Sequence, residues 1–182
     1  IFVRSEVANG EINSIDTSEA EAMPGVLAVF TGEDFVDVGG NHAGWLINSR
    51  NGDPMKEPKR PVLAHGKVRH VGDAYAAVIA EPEQQARDAA EKINADIKEL
   101  PAVIDMASAL SGKNFVHDEI GTNQCYDWGW IEDNREATDK AIKNAHHVTT
   151  LELVNNRLVP NAMEPRCSIA DYNPANDDYT LY

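Results

Sequence analysis

The stretch Val68-Arg69-His70-Val71-Gly72-Asp73-Ala74-Tyr75-Ala76-Ala77-Val78-Ile79-Ala80-Glu81 decides the fold class. Its β-branched and small apolar residues predict a long strand over residues 67–80, bent near Gly72-Asp73. Pro82 follows at once and suits the first turn of a helix over residues 82–93. In that helix Ala86, Ala89, Ala90 and Ile93 fall at i, i+3, i+4 and i+7, which gives one narrow apolar face. A strand over residues 97–104 completes a β-α-β unit. Alanines on the helix face let it sit close to a sheet.

Toward the N-terminus the same grammar recurs. Residues 4–16 read as a strand interrupted at Asn9-Gly10, and residues 17–23 as a short helix in which Ser18 and Glu21 have capping-box spacing. Pro24-Gly25 stops it, and the apolar run of residues 26–31 is fit for a buried strand. Residues 32–61 then dissolve into Gly, Asn, Asp and Pro around Trp45, a long loop of the kind that serves an interface or a site. Toward the C-terminus Asp105 can cap a helix over residues 106–111 that Gly112 ends. A Gly/Asn/Asp-rich connector with Trp128 and Trp130 follows, which puts a domain boundary between residues 110 and 122. Residues 134–144 read as a helix and residues 147–155 as an alternating strand. Residues 167–172 and 178–182 read as a hairpin around Asn173-Pro174-Ala175-Asn176. Both chain ends, at Ile1 and Tyr182, fall in strand-like runs, as expected of part of a longer polypeptide.

Of the 182 residues, 16 are Lys or Arg and 30 are Asp or Glu, and the formal charge is −14. That balance opposes attraction to phosphate backbones and anionic lipid, so neither nucleic acid nor membrane is an expected partner. No apolar run has bilayer length and no export signal opens the chain; a signal on a missing N-terminus stays compatible with this. The two cysteines, Cys125 and Cys167, are too few for an iron–sulfur cluster or a Cys-rich zinc site. They are expected as buried free thiols of a cytoplasmic protein.

The chemistry-bearing residues mostly have structural readings. His146-His147 are adjacent and point to different sides, and His42, His65, His70 and His117 are scattered, so no metal-ligand spacing arises. Gly32-Glu33-Asp34 and Val71-Gly72-Asp73 lack the pattern of a phosphate loop. Asp16, Asp34, Asp73 and Asp105 sit at expected caps and strand ends. Trp45, Trp128 and Trp130 either close the local core or pack against another domain or subunit. Glu164 stands out, because a carboxylate between Met163 and Pro165 has restricted backbone freedom and can be presented rigidly from a loop. The plain alternative is a local ion pair between Glu164 and Arg166.

The segment Asn155-Asn156-Arg157-Leu158-Val159-Pro160-Asn161-Ala162-Met163-Glu164-Pro165-Arg166 resembles a loop of the molybdenum-containing hydroxylase large subunits, the xanthine dehydrogenase, aldehyde oxidase and carbon monoxide dehydrogenase family. The resemblance continues in Val29-Phe30-Thr31-Gly32-Glu33-Asp34-Phe35, in residues 68–81 and in Leu100-Pro101-Ala102-Val103-Ile104-Asp105. Ala74 departs from it, where relatives often carry Pro. The resemblance implies an α+β fold: an α/β hammerhead domain of β-α-β units over residues 1–112, then the incomplete start of a molybdopterin-binding domain over residues 113–182.

The implied activity is oxidative hydroxylation of aldehydes or N-heterocycles, or oxidation of carbon monoxide, in the full-length enzyme. Electrons would leave through iron–sulfur and FAD subunits or domains. Glu164 would line or shape the substrate pocket and Arg166 would orient the loop. The Gln-Gly and Gly-rich segments that grip the pterin, and the late glutamate that acts as base, have no match here. The fragment alone is therefore expected to hold no molybdenum cofactor and to be inactive. The alternative is a non-catalytic assembly or interaction module.

Overall fold

A computed structural model describes the chain except for residues 43, 130–133, 157, 159, 160 and 165. It divides into two compact units, Ile1–Asp133 and Asn134–Tyr182. The first contains strands β1 (Phe2–Arg4), β2 (Gly10–Asp16), β3 (Val26–Thr31), β4 (Lys67–Val68), β5 (Ala74–Ala80) and β6 (Asn94–Glu99). Between them lie helices α1 (Ser18–Glu21), α2 (Glu83–Ala90) and α3 (Met106–Leu110), and a 3-10 helix over Gly32–Val38.

The strands form two three-stranded sheets, ordered β1-β5-β3 and β4-β2-β6, and every pairing is antiparallel. Each β-α-β unit crosses from one sheet to the other: β2-α1-β3 in one direction, β5-α2-β6 in the other. This corrects two expectations. Residues 4–16 are two strands, because Ser5 turns the chain: its Oγ donates to Val7 O at 2.8 Å and accepts from Val7 N at 3.0 Å. Residues 67–80 are likewise two strands in different sheets. Gly72 has φ +89°, and Asp73 accepts from Arg69 N at 3.0 Å. These two corners bond each other, Ser5 N to Asp73 O at 2.8 Å and Gly72 N to Ser5 O at 2.7 Å. A Gly-Asp pair that looked like a bend within one strand is thus the point where the chain changes sheet.

The expected helix face is where the core forms. Ala86 and Ala89 are buried against Val78 and Ala20, with Met23, Val26, Val29, Ala80, Ala90 and Ile93 packed around them. Ile79 points the other way and is half exposed, as alternation along β5 requires. A second cluster, Ala64, Val68, Tyr75 and Ala76, gathers Ile12, Ile15 and Ile97 from the other sheet. Ile93 packs on both clusters and joins them.

Local details shift in ways short-range chemistry explains. Ser18 and Glu21 do not form a capping box; Thr17 Oγ1 donates to Glu21 at 2.6 Å, and Asp16 accepts from Ser18 N at 3.0 Å. The capping box is instead at Thr31 and Asp34, where it starts the 3-10 helix. Strand β6 ends at Glu99, before the imide nitrogen of Pro101, which cannot donate to a ladder. The connector belongs to the first unit and is tied to its earlier residues: Lys67 Nζ to Asp118 at 2.9 Å, Arg69 Nε to Val116 O at 3.3 Å, Lys56 N to Cys125 O at 2.8 Å and Arg50 Nη2 to Asp127 at 2.7 Å.

The second unit contains α4 (Arg135–Lys143) and a hairpin of β7 (Ala170–Asn173) and β8 (Asp178–Leu181). The hairpin lies where the sequence places it, with Tyr172 opposite Tyr179 and their rings 4.8 Å apart. Asp177 takes the left-handed turn conformation, φ 56°. Residues 147–155 form no strand, contrary to their alternating pattern, since an extended segment becomes a strand only by pairing and none of them pairs. Every described residue of this unit is exposed, so the described residues form no buried core there.

Candidate functional site

Glu164 lies in the segment between α4 and β7, and Met163, Glu164 and Arg166 are all exposed. Pro165, on which the rigid-presentation argument partly rests, lies outside the described residues, as do Arg157, Val159 and Pro160. The exposed Glu164 retains its hydration, so the cost of burying an unpaired carboxylate does not arise.

The four aspartates expected at caps do that work. Asp16 accepts from Ser18 N at 3.0 Å, Asp34 from Thr31 N at 2.7 Å, Asp73 from Arg69 N at 3.0 Å and Asp105 from Ser108 N at 2.8 Å. Hydrogen bonds from the Ser18 side chain and backbone hold the Asp16 carboxyl below the usual carboxylate range. Those from the Ser108 backbone and side chain do the same for Asp105. The turns they close stabilise the Asp16 and Asp105 anions, and all four carboxylates serve the fold.

The histidines sit beside single carboxylates: His42 at 3.5 Å from Glu57, His65 at 3.1 Å from Glu33, His70 at 3.7 Å from Asp73 and His117 at 3.1 Å from Glu119. His147 Nε2 is 3.1 Å from Thr149 Oγ1. Among the described residues no group of three His, Cys, Asp or Glu is placed to hold a metal. Cys125 and Cys167 are free and exposed, which corrects their expected burial. Both lie outside the two core clusters of the first unit, so hydrophobic packing does not draw them in. Trp45 is 83% exposed and Trp128 52%, so neither closes a core; Trp130 lies outside the described residues. No described helix is long and apolar enough to cross a membrane.

Sequence reasoning missed two features of the first unit. One is the Lys67–Asp118 pair, whose partners are 51 residues apart. The other is a cavity of about 190 Å³ beside Asn9 and Arg69. The Lys67 hydrogen bond holds the Asp118 carboxyl below its ordinary value of 3.8, against an opposing effect of burial. A depressed folded-state pKa contributes stability above the unfolded value and loses it as pH falls through the folded one. Asp118 is largely exposed, so Asp118→Asn should cost about 0.2–1 kcal/mol at neutral pH. That difference should vanish in the acid range below 3.8, and denaturant midpoints of the two proteins across pH check it.

Residues 1–101 match the family described as aldehyde oxidase and xanthine dehydrogenase, a/b hammerhead domain. The chain belongs to that family. It is 34% identical, over its whole length, to the 6-hydroxypseudooxynicotine dehydrogenase complex subunit gamma of Paenarthrobacter nicotinovorans, 22% of which it covers. It is 31% identical, again over its whole length, to the carbon monoxide dehydrogenase large chain of Hydrogenophaga pseudoflava, covering 23% of that protein. The crystal structure of quinoline 2-oxidoreductase from Pseudomonas putida 86 superposes on all of this chain with a TM-score of 0.81 at 26% identity, over 22% of its own length. The hammerhead chain therefore spans about a fifth of the length of these relatives. Its relatives are molybdenum oxidoreductases, so the family is enzymatic.

Proposed function

We propose that this chain is the hammerhead-bearing part of the cofactor-binding large subunit of a molybdenum hydroxylase. The observation that carries the reading is coextension: the whole chain aligns with 23% of a carbon monoxide dehydrogenase large chain, at 31% identity. On this reading residues 1–112 are the hammerhead domain and residues 113–182 begin the molybdopterin-binding domain. The chain's own contribution is a scaffold. The pterin-gripping segments and the catalytic base are supplied by the remainder of the subunit, and the isolated chain is inactive.

The substrate is a small molecule with an electron-poor carbon. N-heterocycles are the favoured class, in keeping with the quinoline oxidoreductase above, ahead of aldehydes and carbon monoxide. Glu164 contributes a carboxylate to the pocket wall and Arg166 orients its loop. Iron–sulfur and FAD partners carry electrons away, and the assembly works in the cytoplasm. Reading the parent open reading frame tests this at little cost. Continuation well past Tyr182 into Gly-rich pterin-binding segments is the expected result. A stop codon nearby would overturn it and leave a non-catalytic assembly module.

A further inference from the structure

The sequence contains two Asn-Gly pairs, Asn9-Gly10 and Asn51-Gly52. Such a pair carries its own reaction. With no side chain on the glycine to hinder approach, its backbone nitrogen can reach the carbonyl carbon of the preceding asparagine side chain and close a cyclic imide. The two pairs have opposite surroundings. Asn9 and Gly10 are buried; Gly10 lies in β2 opposite Val68 on one side and Glu99 on the other, and Asn9 Nδ2 donates to Pro101 O at 2.8 Å. Asn51 and Gly52 are both exposed, and Gly52 has φ +87° with open space where a Cβ would stand.

Residues 49–53 form a tight turn. Ser49 N donates to Asp53 O and Gly52 N to Ser49 O, both at 2.8 Å. Asn51 is tied to Asp53 by both ends of its amide: Oδ1 accepts from Asp53 N at 3.1 Å and Nδ2 donates to Asp53 Oδ2 at 2.8 Å. The bond to Oδ1 polarises the carbonyl that the imide reaction attacks. Because the Gly52 N–H is engaged, the ring closes only when the turn opens, and local opening is governed by what holds the segment down. That restraint lies 77 residues away. Arg50 Nε and Nη2 donate to the Asp127 carboxylate at 3.2 and 2.7 Å, Arg50 N donates to Asp127 O at 2.7 Å, and Asp127 N donates to Ser49 Oγ at 3.1 Å. Asp127 therefore clasps the turn that carries Asn51.

We propose that Asn51-Gly52 is a spontaneous deamidation site gated by the Arg50–Asp127 clasp. When the turn opens, the Gly52 nitrogen attacks Asn51 Cγ. The N–Cγ bond forms, the Cγ–Nδ2 bond breaks, and the proton of the attacking nitrogen leaves with Nδ2 as ammonia. Solvent water then opens the imide at either carbonyl, which leaves aspartate or isoaspartate at position 51 with no change of oxidation state. Either product replaces the Nδ2 donor by a second carboxylate beside Asp53, and like charges at that distance repel. Isoaspartate also adds a carbon to the backbone path and shifts the bond between Ser49 and Asp53. The reaction is one-way: it loosens the turn whose opening permitted it, and with it the anchorage of residues 125–127. The site is independent of molybdenum and of the large-subunit reading.

Ageing the purified chain at neutral pH and physiological temperature, with peptide mapping by mass spectrometry and enzymatic methylation of isoaspartate, tests it. A disordered peptide with the sequence of residues 47–55 sets the unrestrained rate. Conversion at Asn51 slower than in the peptide, with Asn9 intact, is expected. Asp127→Ala, which takes the carboxylate from Arg50, should speed conversion by about twofold to fivefold. High salt should act in the same direction on the parent relative to the peptide, which keeps the test decisive if the variant misfolds. Asn51→Asp, equivalent to one product, should speed hydrogen exchange at the Arg50 and Lys56 amides, which donate to Asp127 O and Cys125 O. Asn51 intact while the peptide converts, Asn9 converting as fast as Asn51, or a rate indifferent to both Asp127→Ala and salt would overturn the proposal.

Discussion

Ala89→Asp is expected to unfold the first unit, or to lower its denaturant midpoint by an amount equivalent to several kcal/mol. Ala89 is fully buried, on the face of α2 that packs on Val78 of β5 and Ala20 of α1. A carboxylate there must shed its hydration among the apolar side chains of that cluster. Since a domain of this size is stable by only about 5–15 kcal/mol, one such charge consumes a large share of the margin. Glu91→Ala, at an exposed position just past the same helix, should stay within about 0.5 kcal/mol. Circular dichroism melts of the two variants beside the parent check both values. Equal stability of Ala89→Asp and the parent would mean that the alanine face does not pack on the sheet.

The second large effect concerns the intact enzyme. Glu164→Gln keeps the side chain's shape and removes its charge. If Glu164 lines the substrate pocket of the completed subunit, kcat/KM should fall by an amount equivalent to about 1–3 kcal/mol, with molybdenum content unchanged. Steady-state kinetics and metal analysis on the same preparation separate the roles. Unchanged kinetics would reduce Glu164 to a loop-structuring residue. Lost molybdenum would move its role from substrate to cofactor retention.

How much of this was legible depended on the range of the signal. The face of α2 was, because Ala86, Ala89, Ala90 and Ile93 repeat at helical spacing and nothing distant has to be known. The caps at Asp105 and Asp34 and the hairpin around residues 173–176 were legible for the same reason. The two-sheet arrangement was not. Whether Gly72-Asp73 bends one strand or hands the chain to another sheet depends on Ser5, which bonds both residues from 67 or more positions away. The same holds for Lys67 with Asp118 and for the Arg50 loop with Asp127.

The strand expected at residues 147–155 failed for a complementary reason. Alternating hydrophobicity states which side of a strand would be buried, but a strand exists only where a partner completes the ladder. For the site, the Glu164 reading rests on the resemblance: Glu164 is an exposed carboxylate in a loop, and nothing in its described surroundings marks it as functional.

The central claim is that this chain is scaffold, and that the groups which hold the molybdenum cofactor belong to the remainder of the large subunit. Metal analysis of the purified 182-residue chain, expressed in cells that make the cofactor and paired with assays of N-heterocycle and aldehyde oxidation, tests it most directly. The account predicts neither stoichiometric molybdenum nor turnover. Molybdenum retained at one atom per chain would contradict it and place the binding determinants within these residues.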